Sequence, residues 1–190
     1  IKALVGYGIT ECSPVVSTVR NKHYCPESVG TVHPGINVRI INGEIQVKGP
    51  SVMLGYYKRE EETAKAFSKD GFLRTGDLGF IDDGHIYLTG RKKNIIVLSN
   101  GENISPETIE NRFADELQIK EIIVFADGDK ICAEIYPEKD VTEKDIEEII
   151  HRINCESDSD KQIEGFILRK TPFEKTSTGK IRRHSFSYRQ

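Results

Sequence analysis

Apolar and polar residues alternate with a period of two over several short stretches of this 190-residue chain, and the stretches come in pairs. Val38-Arg39-Ile40-Ile41 and Glu44-Ile45-Gln46-Val47-Lys48 flank Asn42-Gly43, a strong short-range signal for a hairpin turn. Phe80-Ile81 and His85-Ile86-Tyr87-Leu88 flank Asp83-Gly84 in the same way. Glu121 to Ala126 and Lys130 to Tyr136 lie on either side of Asp127-Gly128-Asp129 and predict a third hairpin. Phe72 to Leu78 follows a Lys-Asp-Gly turn, and the short apolar runs Ala3 to Tyr7, Asn94 to Leu98 and Phe166 to Arg169 predict further strands.

The period becomes helical in three places. Glu60 to Phe67 turns Ala64 and Phe67 inward, and Pro106 to Leu117 sets Ile109, Phe113 and Leu117 on one face. Thr142 caps a helix whose Ile146, Ile149, Ile150 and Ile153 form an apolar stripe, which reads as core rather than as a cofactor-binding face. Residues 12–37, broken by Pro14, Pro26 and Pro34, read as loop, as do 49–57 and the charged stretch 156–161. The fold class is therefore α+β, with no internal repeat.

Composition narrows the function classes. A formal net charge of −3 gives no electrostatic reason to expect a nucleic acid polymer as partner, and the basic residues near the end read as a solvated tail. Cys12, Cys25, Cys132 and Cys155 form no C-x-x-C pair and have no His at metal spacing, so they read as reduced cytosolic thiols and a cytoplasmic location is expected. No apolar run approaches the ~20 residues needed to span a bilayer. The chain opens on Ile1, inside a motif, and is expected to be a piece of a longer protein.

Candidate chemistry concentrates in one region. It runs from Thr75-Gly76-Asp77 through Gly90-Arg91-Lys92-Lys93-Asn94 to Ser99-Asn100-Gly101-Glu102-Asn103-Ile104-Ser105-Pro106. It holds an acid in a Gly-flanked turn, a Gly-Arg step followed by two lysines, a short strand and a Gly-bearing loop. The loop leads into a helix start, with Ser105 as cap and Pro106 at the first helical position. By residue type, an acid and a cation stand ready to hold a polar ligand beside a hinge.

Three other stretches share this character: Gly6-Tyr7-Gly8-Ile9-Thr10-Glu11, Gly43 to Pro50 with Gly55-Tyr56, and Thr178-Gly179-Lys180-Ile181. Together with the central run they resemble the adenylate-forming enzymes: acyl-CoA synthetases, the adenylation domains of peptide synthetases, and luciferases. Gly90 to Asn103 is most similar to the long-chain fatty acyl-CoA ligases. The resemblance covers nearly the whole chain. It implies that residues 1–90 are the C-terminal part of a large AMP-binding domain, a barrel-like subdomain, and that 91–190 are a small α+β lid.

On residue type alone Tyr7 and Glu11 are a half-buried ring and a surface acid, Asp77 is a turn-former, and Lys180 is a solvated lysine. The resemblance implies other roles. Gly6, Tyr7 and Gly8 would line the nucleotide site, with Tyr7 stacked on adenine. Thr10 would contact the α-phosphate and Glu11 would help hold Mg²⁺. Asp77 would accept both ribose hydroxyls and Arg91 would add donors. Lys93 would be the hinge, with Asn94 standing where many relatives carry an acid. Gly101 and Glu102 would lie in the loop that meets coenzyme A. Lys180 would be the catalytic lysine, bridging the acyl carboxylate and the α-phosphate, in a motif where Lys175 stands in place of the usual Pro or Leu. A phosphate-loop reading of Thr176 to Lys180 fails. Glu174 occupies the first glycine position, and Ile181 follows the lysine.

The implied activity is ATP-dependent conversion of a carboxylic acid, a fatty acid by the finer resemblance, to acyl-AMP and then to the acyl-CoA thioester. The cofactors are ATP or AMP, Mg²⁺ and coenzyme A as substrate. Two other readings stay open: an adenylation domain that loads a carrier protein, and a non-catalytic relative. Acyl chain length, oligomeric state and peripheral membrane association of the parent are left open too. The phosphate loop and acyl pocket of the family are expected upstream of Ile1, so this chain alone is expected to be inactive.

Overall fold

A seven-stranded antiparallel sheet fills the first part of the chain in the computed structural model, which describes residues 5–19, 25, 27–158, 161–177 and 179–183. Its strands are β1 (Gly6–Gly8), β2 (Val15–Thr18), β3 (Thr31–Val32), β4 (Asn37–Ile41) and β5 (Glu44–Lys48). Helix α1 (Glu60–Ala66) intervenes before β6 (Leu73–Asp82) and β7 (His85–Arg91). The strand order is β1-β2-β3-β7-β6-β5-β4. Among the described residues the sheet is open, with β1 and β4 as edges, so the expected barrel-like closure is not formed there.

Turn chemistry sets the framework. Asn42 and Gly43 adopt φ of 51° and 75°, and Asp83 and Gly84 adopt 43° and 74°. Positive φ at both central positions is what a tight hairpin with right-handed twist requires. Strand β5 then lies between two neighbours, and Ile45 and Val47 are fully buried. Its polar face is buried as well. Gln46 accepts from Nε and Nη2 of Arg39 at 3.0 and 2.9 Å, and Glu44 lies beneath Gly76 and Lys92.

The loop expected over residues 12–37 contains β2 and β3. They pair through Ser17 and Val32, with Val16 and Ser17 at 0% exposure. Strands of two and four residues are too short for a period-two pattern to stand out from the prolines around them. Phe67, just after helix α1, packs toward the core as expected, but Ala66 and not Ala64 joins it there, and Ala64 is exposed.

The chain divides into two compact units, Ile1–Lys93 and Asn94–Gln190. The division falls inside a single 3₁₀ turn, Lys92–Asn94. In the second unit β8 (Ile96–Val97) pairs with β9 (Asn103–Ile104), and α2 (Pro106–Glu110) follows. Then come β10 (Ile119–Asp127), β11 (Lys130–Pro137), α3 (Glu143–Cys155) and β12 (Gly165–Leu168), which joins β11 in parallel.

Helix α3 is what its stripe predicts: all four isoleucines are buried. Thr142 and Asp145 form a reciprocal capping box, satisfying two otherwise orphaned N–H groups. Helix α2 is shorter than its periodicity predicts. It passes into a 3₁₀ turn at Asn111–Phe113, and Leu117 is left 89% exposed. Bonds from Ala114 N–H to Asn111 and from Glu116 N–H to Phe113 tighten the chain away from the helix axis before Leu117. Ser105 does not cap α2 with its side chain; its hydroxyl donates to the Glu107 carboxylate at 3.1 Å. All four cysteines are free thiols. Among the described residues no helix is long and apolar enough to cross a membrane.

Candidate functional site

Strand β6 carries Thr75, Gly76 and Asp77, so Asp77 sits in a strand and not in the turn expected of it. Gly76, at φ 71°, bends the strand there. The ladder shifts register against both neighbours, between Glu44 and Gln46 on β5 and between Leu78 and Gly79 on β6. Such irregularities re-aim side chains. Asp77 here stands opposite Arg91 on β7.

Asp77 is 6% exposed and has two side-chain partners among the described residues. Tyr7 Oη donates to its Oδ2 at 2.8 Å, and Arg91 Nε lies 2.7 Å from its Oδ1. Asp77 N–H donates to Thr75 Oγ1 at 3.1 Å, and Thr75 Oγ1 donates to the Ile45 carbonyl at 2.7 Å. A carboxylate offers about four acceptor positions. These contacts use one on each oxygen. The Arg91 side chain is 45% exposed beyond its Nε contact.

Tyr7 holds Asp77 by its hydroxyl. Burial, and then the negative Asp77, push that hydroxyl far above the usual phenol range, so it stays a donor. The ring is 6% exposed and packs with Cys12, Val16 and Ile45. A stacking face for a purine, expected of Tyr7, is therefore not on offer in this structure. Gly6 and Gly8 have a local cause. A Cβ at Gly8 would lie 1.9 Å from the Pro14 carbonyl oxygen, and one at Gly6 2.9 Å from that of Ser17. Both glycines let β2 approach β1.

Thr10 and Glu11 sit on a 3₁₀ turn, Thr10–Cys12, with Thr10 exposed. Glu11 accepts from Tyr56 Oη at 3.0 Å, while its backbone carbonyl accepts from Met53 N–H at 2.8 Å. Burial, the bond to Glu11 and its charge raise the Tyr56 hydroxyl above its ordinary value. Burial and the Glu11 charge raise the Cys12 thiol to about 11, leaving it protonated and inert. Among the described residues no group of three His, Cys, Asp or Glu gathers for a metal. One half-buried carboxylate fits Mg²⁺ only as a single ligand, the rest being water and phosphate oxygens.

Two features were not legible as site elements. Glu44 reads as an ordinary strand residue, yet it is 5% exposed, accepts from Gly76 N–H at 3.1 Å and lies 3.2 Å from Lys92 Nζ. Tyr56, which anchors Glu11, sits in a stretch read as scaffold. Strand pairing reveals Glu44, and a side-chain bond to a residue 45 positions away reveals Tyr56; no local pattern carries that information.

In the second unit Lys180 is exposed on a turn built by Gly179 at φ 81°. Thr176 N–H donates to the Lys180 carbonyl at 2.8 Å, and Lys180 N–H to Thr176 Oγ1 at 3.2 Å. Among the described residues the Lys180 ammonium has no ion-pair partner. Thr178, part of the same motif, lies outside the described residues.

The loop with Gly101 and Glu102 is pinned separately. Ser99 N–H and Oγ donate to the two oxygens of Asp129 at 2.9 and 2.7 Å. Asn100 Nδ2 donates to the Glu102 carboxylate at 2.7 Å. Gly101 has φ 85° and open space where a Cβ would be, so its cause is backbone conformation. Asn94 Nδ2 donates to the Glu107 carboxylate.

Comparison with known proteins matches both parts of the chain. Residues 1–57 match the model of the AMP-binding enzyme family, and residues 93–189 match that of the AMP-binding enzyme C-terminal domain. Long chain acyl-CoA synthetase 7, peroxisomal, of Arabidopsis thaliana is 38% identical over 122 residues, 56% of this chain and 17% of that protein. Long-chain-fatty-acid–CoA ligase FadD15 of Mycobacterium bovis is 41% identical over 109 residues, 56% of this chain and 18% of that protein. The chain thus spans less than a fifth of these relatives. The crystal structure of ATP-bound MatB from Rhodopseudomonas palustris superposes with a TM-score of 0.83 at 26% identity, over 96% of this chain and 39% of that one. With a family model matched over more than half of its length, the chain belongs to the AMP-binding enzyme family.

Proposed function

We propose that this chain is part of an AMP-forming acyl-CoA synthetase acting on a fatty acid, with ATP, Mg²⁺ and coenzyme A as its small-molecule partners. The observation that carries the reading is the buried Tyr7–Asp77–Arg91 cluster. It presents a carboxyl acceptor with lone pairs left over beside a half-exposed guanidinium. A ribose diol supplies two O–H donors for the first, and a nucleotide phosphate supplies charge for the second. Similarity to two long-chain acyl-CoA ligases supports the choice of fatty acid, and an ATP-bound structural relative supports the nucleotide. Four free thiols agree with a cytoplasmic setting.

In the first half-reaction a carboxylate oxygen attacks the α-phosphorus of ATP, and pyrophosphate leaves. In the second a thiol attacks the acyl carbonyl carbon, and AMP leaves. Asp77, held by Tyr7, fixes the ribose. Arg91 and Thr10 donate to phosphate oxygens. Glu11, oriented by Tyr56, would hold Mg²⁺, which neutralises charge on the phosphates when bound. Lys180 stabilises the charge that builds on the α-phosphate and the attacking carboxylate. Lys93 is the hinge of this reading, and the division of the chain at Lys93 supports it. The Ser99–Asn103 loop, with Gly101 and Glu102, serves the second step.

The test is ATP–pyrophosphate exchange by the full-length protein against carboxylates of graded length, with exchange peaking at long chains. Lys180→Ala should abolish exchange while sparing thioester formation from supplied acyl-AMP. Lys93→Pro should do the opposite, because a fixed φ stiffens the joint. Exchange that is indifferent to Asp77→Ala would sink the nucleotide assignment.

A further inference from the structure

The turn that presents Lys180 is clamped at both roots by ion pairs to half-buried acids. Before the turn, Lys175 Nζ lies 2.5 Å from Glu121 Oε1, and the Glu121 side chain is only 9% exposed. The other Glu121 oxygen accepts from Phe173 N–H at 2.8 Å. After the turn, Arg183 Nη2 pairs with Glu110, and Arg183 Nε lies 3.8 Å from Glu107 Oε1. Glu110 is itself fixed, 12% exposed, with Oε1 accepting from Val124 N–H at 2.7 Å. Between the roots, Lys175 bridges Ile181, and Arg182 N–H donates to the Glu174 carbonyl at 2.8 Å.

These pairs differ from the chain's solvated ones. Lys144 and Glu148 on α3, 3.7 Å apart, are 83% and 71% exposed, the kind of pair that contributes almost nothing. Glu110 and Glu121 are taken largely out of water, which costs free energy that only a fixed, hydrogen-bonded partner returns. A solvated five-residue turn needs no such anchoring for its own sake. An ammonium on a four-carbon stem does need a fixed root if it is to meet a reacting atom in one geometry. Resting on the proposed role of Lys180, we infer that Lys175 and Arg183 are positioning residues for Lys180, bracing its turn against β10 and α2.

Measured in the intact enzyme, Arg183→Gln and Lys175→Gln should each slow acyl-AMP formation by roughly 10- to 100-fold, the scale of a small misplacement of a reacting group. Thioester formation from supplied acyl-AMP should be unchanged, and Lys175→Arg should restore adenylation. In the same samples, hydrogen exchange at the Thr176 and Arg182 amides should accelerate while β10 and β11 stay protected. Equal loss of both half-reactions would mean a merely structural role and would overturn the inference. Unchanged exchange at the turn, or faster exchange spread over the whole unit, would also overturn it. Lys180→Ala separates the two levels. If it leaves adenylation intact, the role of Lys180 fails and the inference falls with it. If it stops adenylation while Arg183→Gln and Lys175→Gln do not slow it, the inference alone fails.

Discussion

The glycines of this chain separate two physical causes that a sequence writes with one letter. At Gly8 the obstacle is space: a Cβ would meet the Pro14 carbonyl at 1.9 Å, and backbone cannot step aside cheaply. At Gly101 there is space but φ is 85°, where an L-residue is strained. Gly101→Ala should therefore cost about 1–2 kcal/mol in urea unfolding. Gly8→Ala should cost more, because β1 must part from β2. Equal effects would show that the β1–β2 approach is soft. The same distinction governs Tyr7. Its place in a Gly-Tyr-Gly motif was legible, but whether ring or hydroxyl does the holding depends on Asp77, seventy residues away. Tyr7→Phe leaves the ring and removes the donor to a buried carboxylate. A loss of about 1–3 kcal/mol is expected, the cost of an unsatisfied buried acceptor. An unchanged unfolding midpoint would mean that water or Arg91 replaces the bond.

At the scale of elements, legibility followed the length and the punctuation of each pattern. Two hairpins were legible from the two-residue turns Asn42-Gly43 and Asp83-Gly84, because a few backbone angles dictate both composition and register; the third was legible across Asp127-Gly128-Asp129, of which Asp127 pairs with Lys130 and belongs to the strand. Helix α3 was legible from a cap and four isoleucines at helical spacing. Short β2 and β3 were not, since their stability comes from neighbours distant in sequence. Leu117 misled because the period continued past the point where 3₁₀ bonds redirect the chain. Thr142→Ala should lower stability by about 1 kcal/mol through loss of the N-cap. Ile146→Ala, at a fully buried position, should cost about 2–5 kcal/mol. Calorimetry on both variants checks the ranking, and a larger effect at Thr142 would contradict the stripe as the source of α3's hold.

Across the whole molecule, acid should act on each unit through the carboxyls that folding has lowered. In the first unit, the Arg39 guanidinium and the Ser68 hydroxyl hold the Asp70 carboxyl well below its usual range. In the second, Ser99 lowers Asp129, Lys120 lowers Glu138, Thr142 lowers Asp145 and Lys161 lowers Asp158. Glu121 is pushed up by burial but pulled down further by Lys175 and Phe173 N–H. A carboxyl lowered by folding binds fewer protons folded than unfolded, so its contribution is present above the unfolded value, near 4, and lost as pH falls through the folded one. Glu110 runs the other way. Burial raises it despite Arg183, so its share is present at low pH and lost as pH rises through its folded value. Five lowered carboxyls against one raised should make the second unit lose stability on acidification below about pH 4, with Glu110 offsetting part of the loss. Because most of these groups are solvated, the effect should shrink in high salt. Hydrogen exchange resolved by segment at descending pH would separate the units, after correction for the intrinsic pH dependence of exchange. Protection of Asn94–Gln190 that holds unchanged below about pH 4 would overturn this distribution of charge.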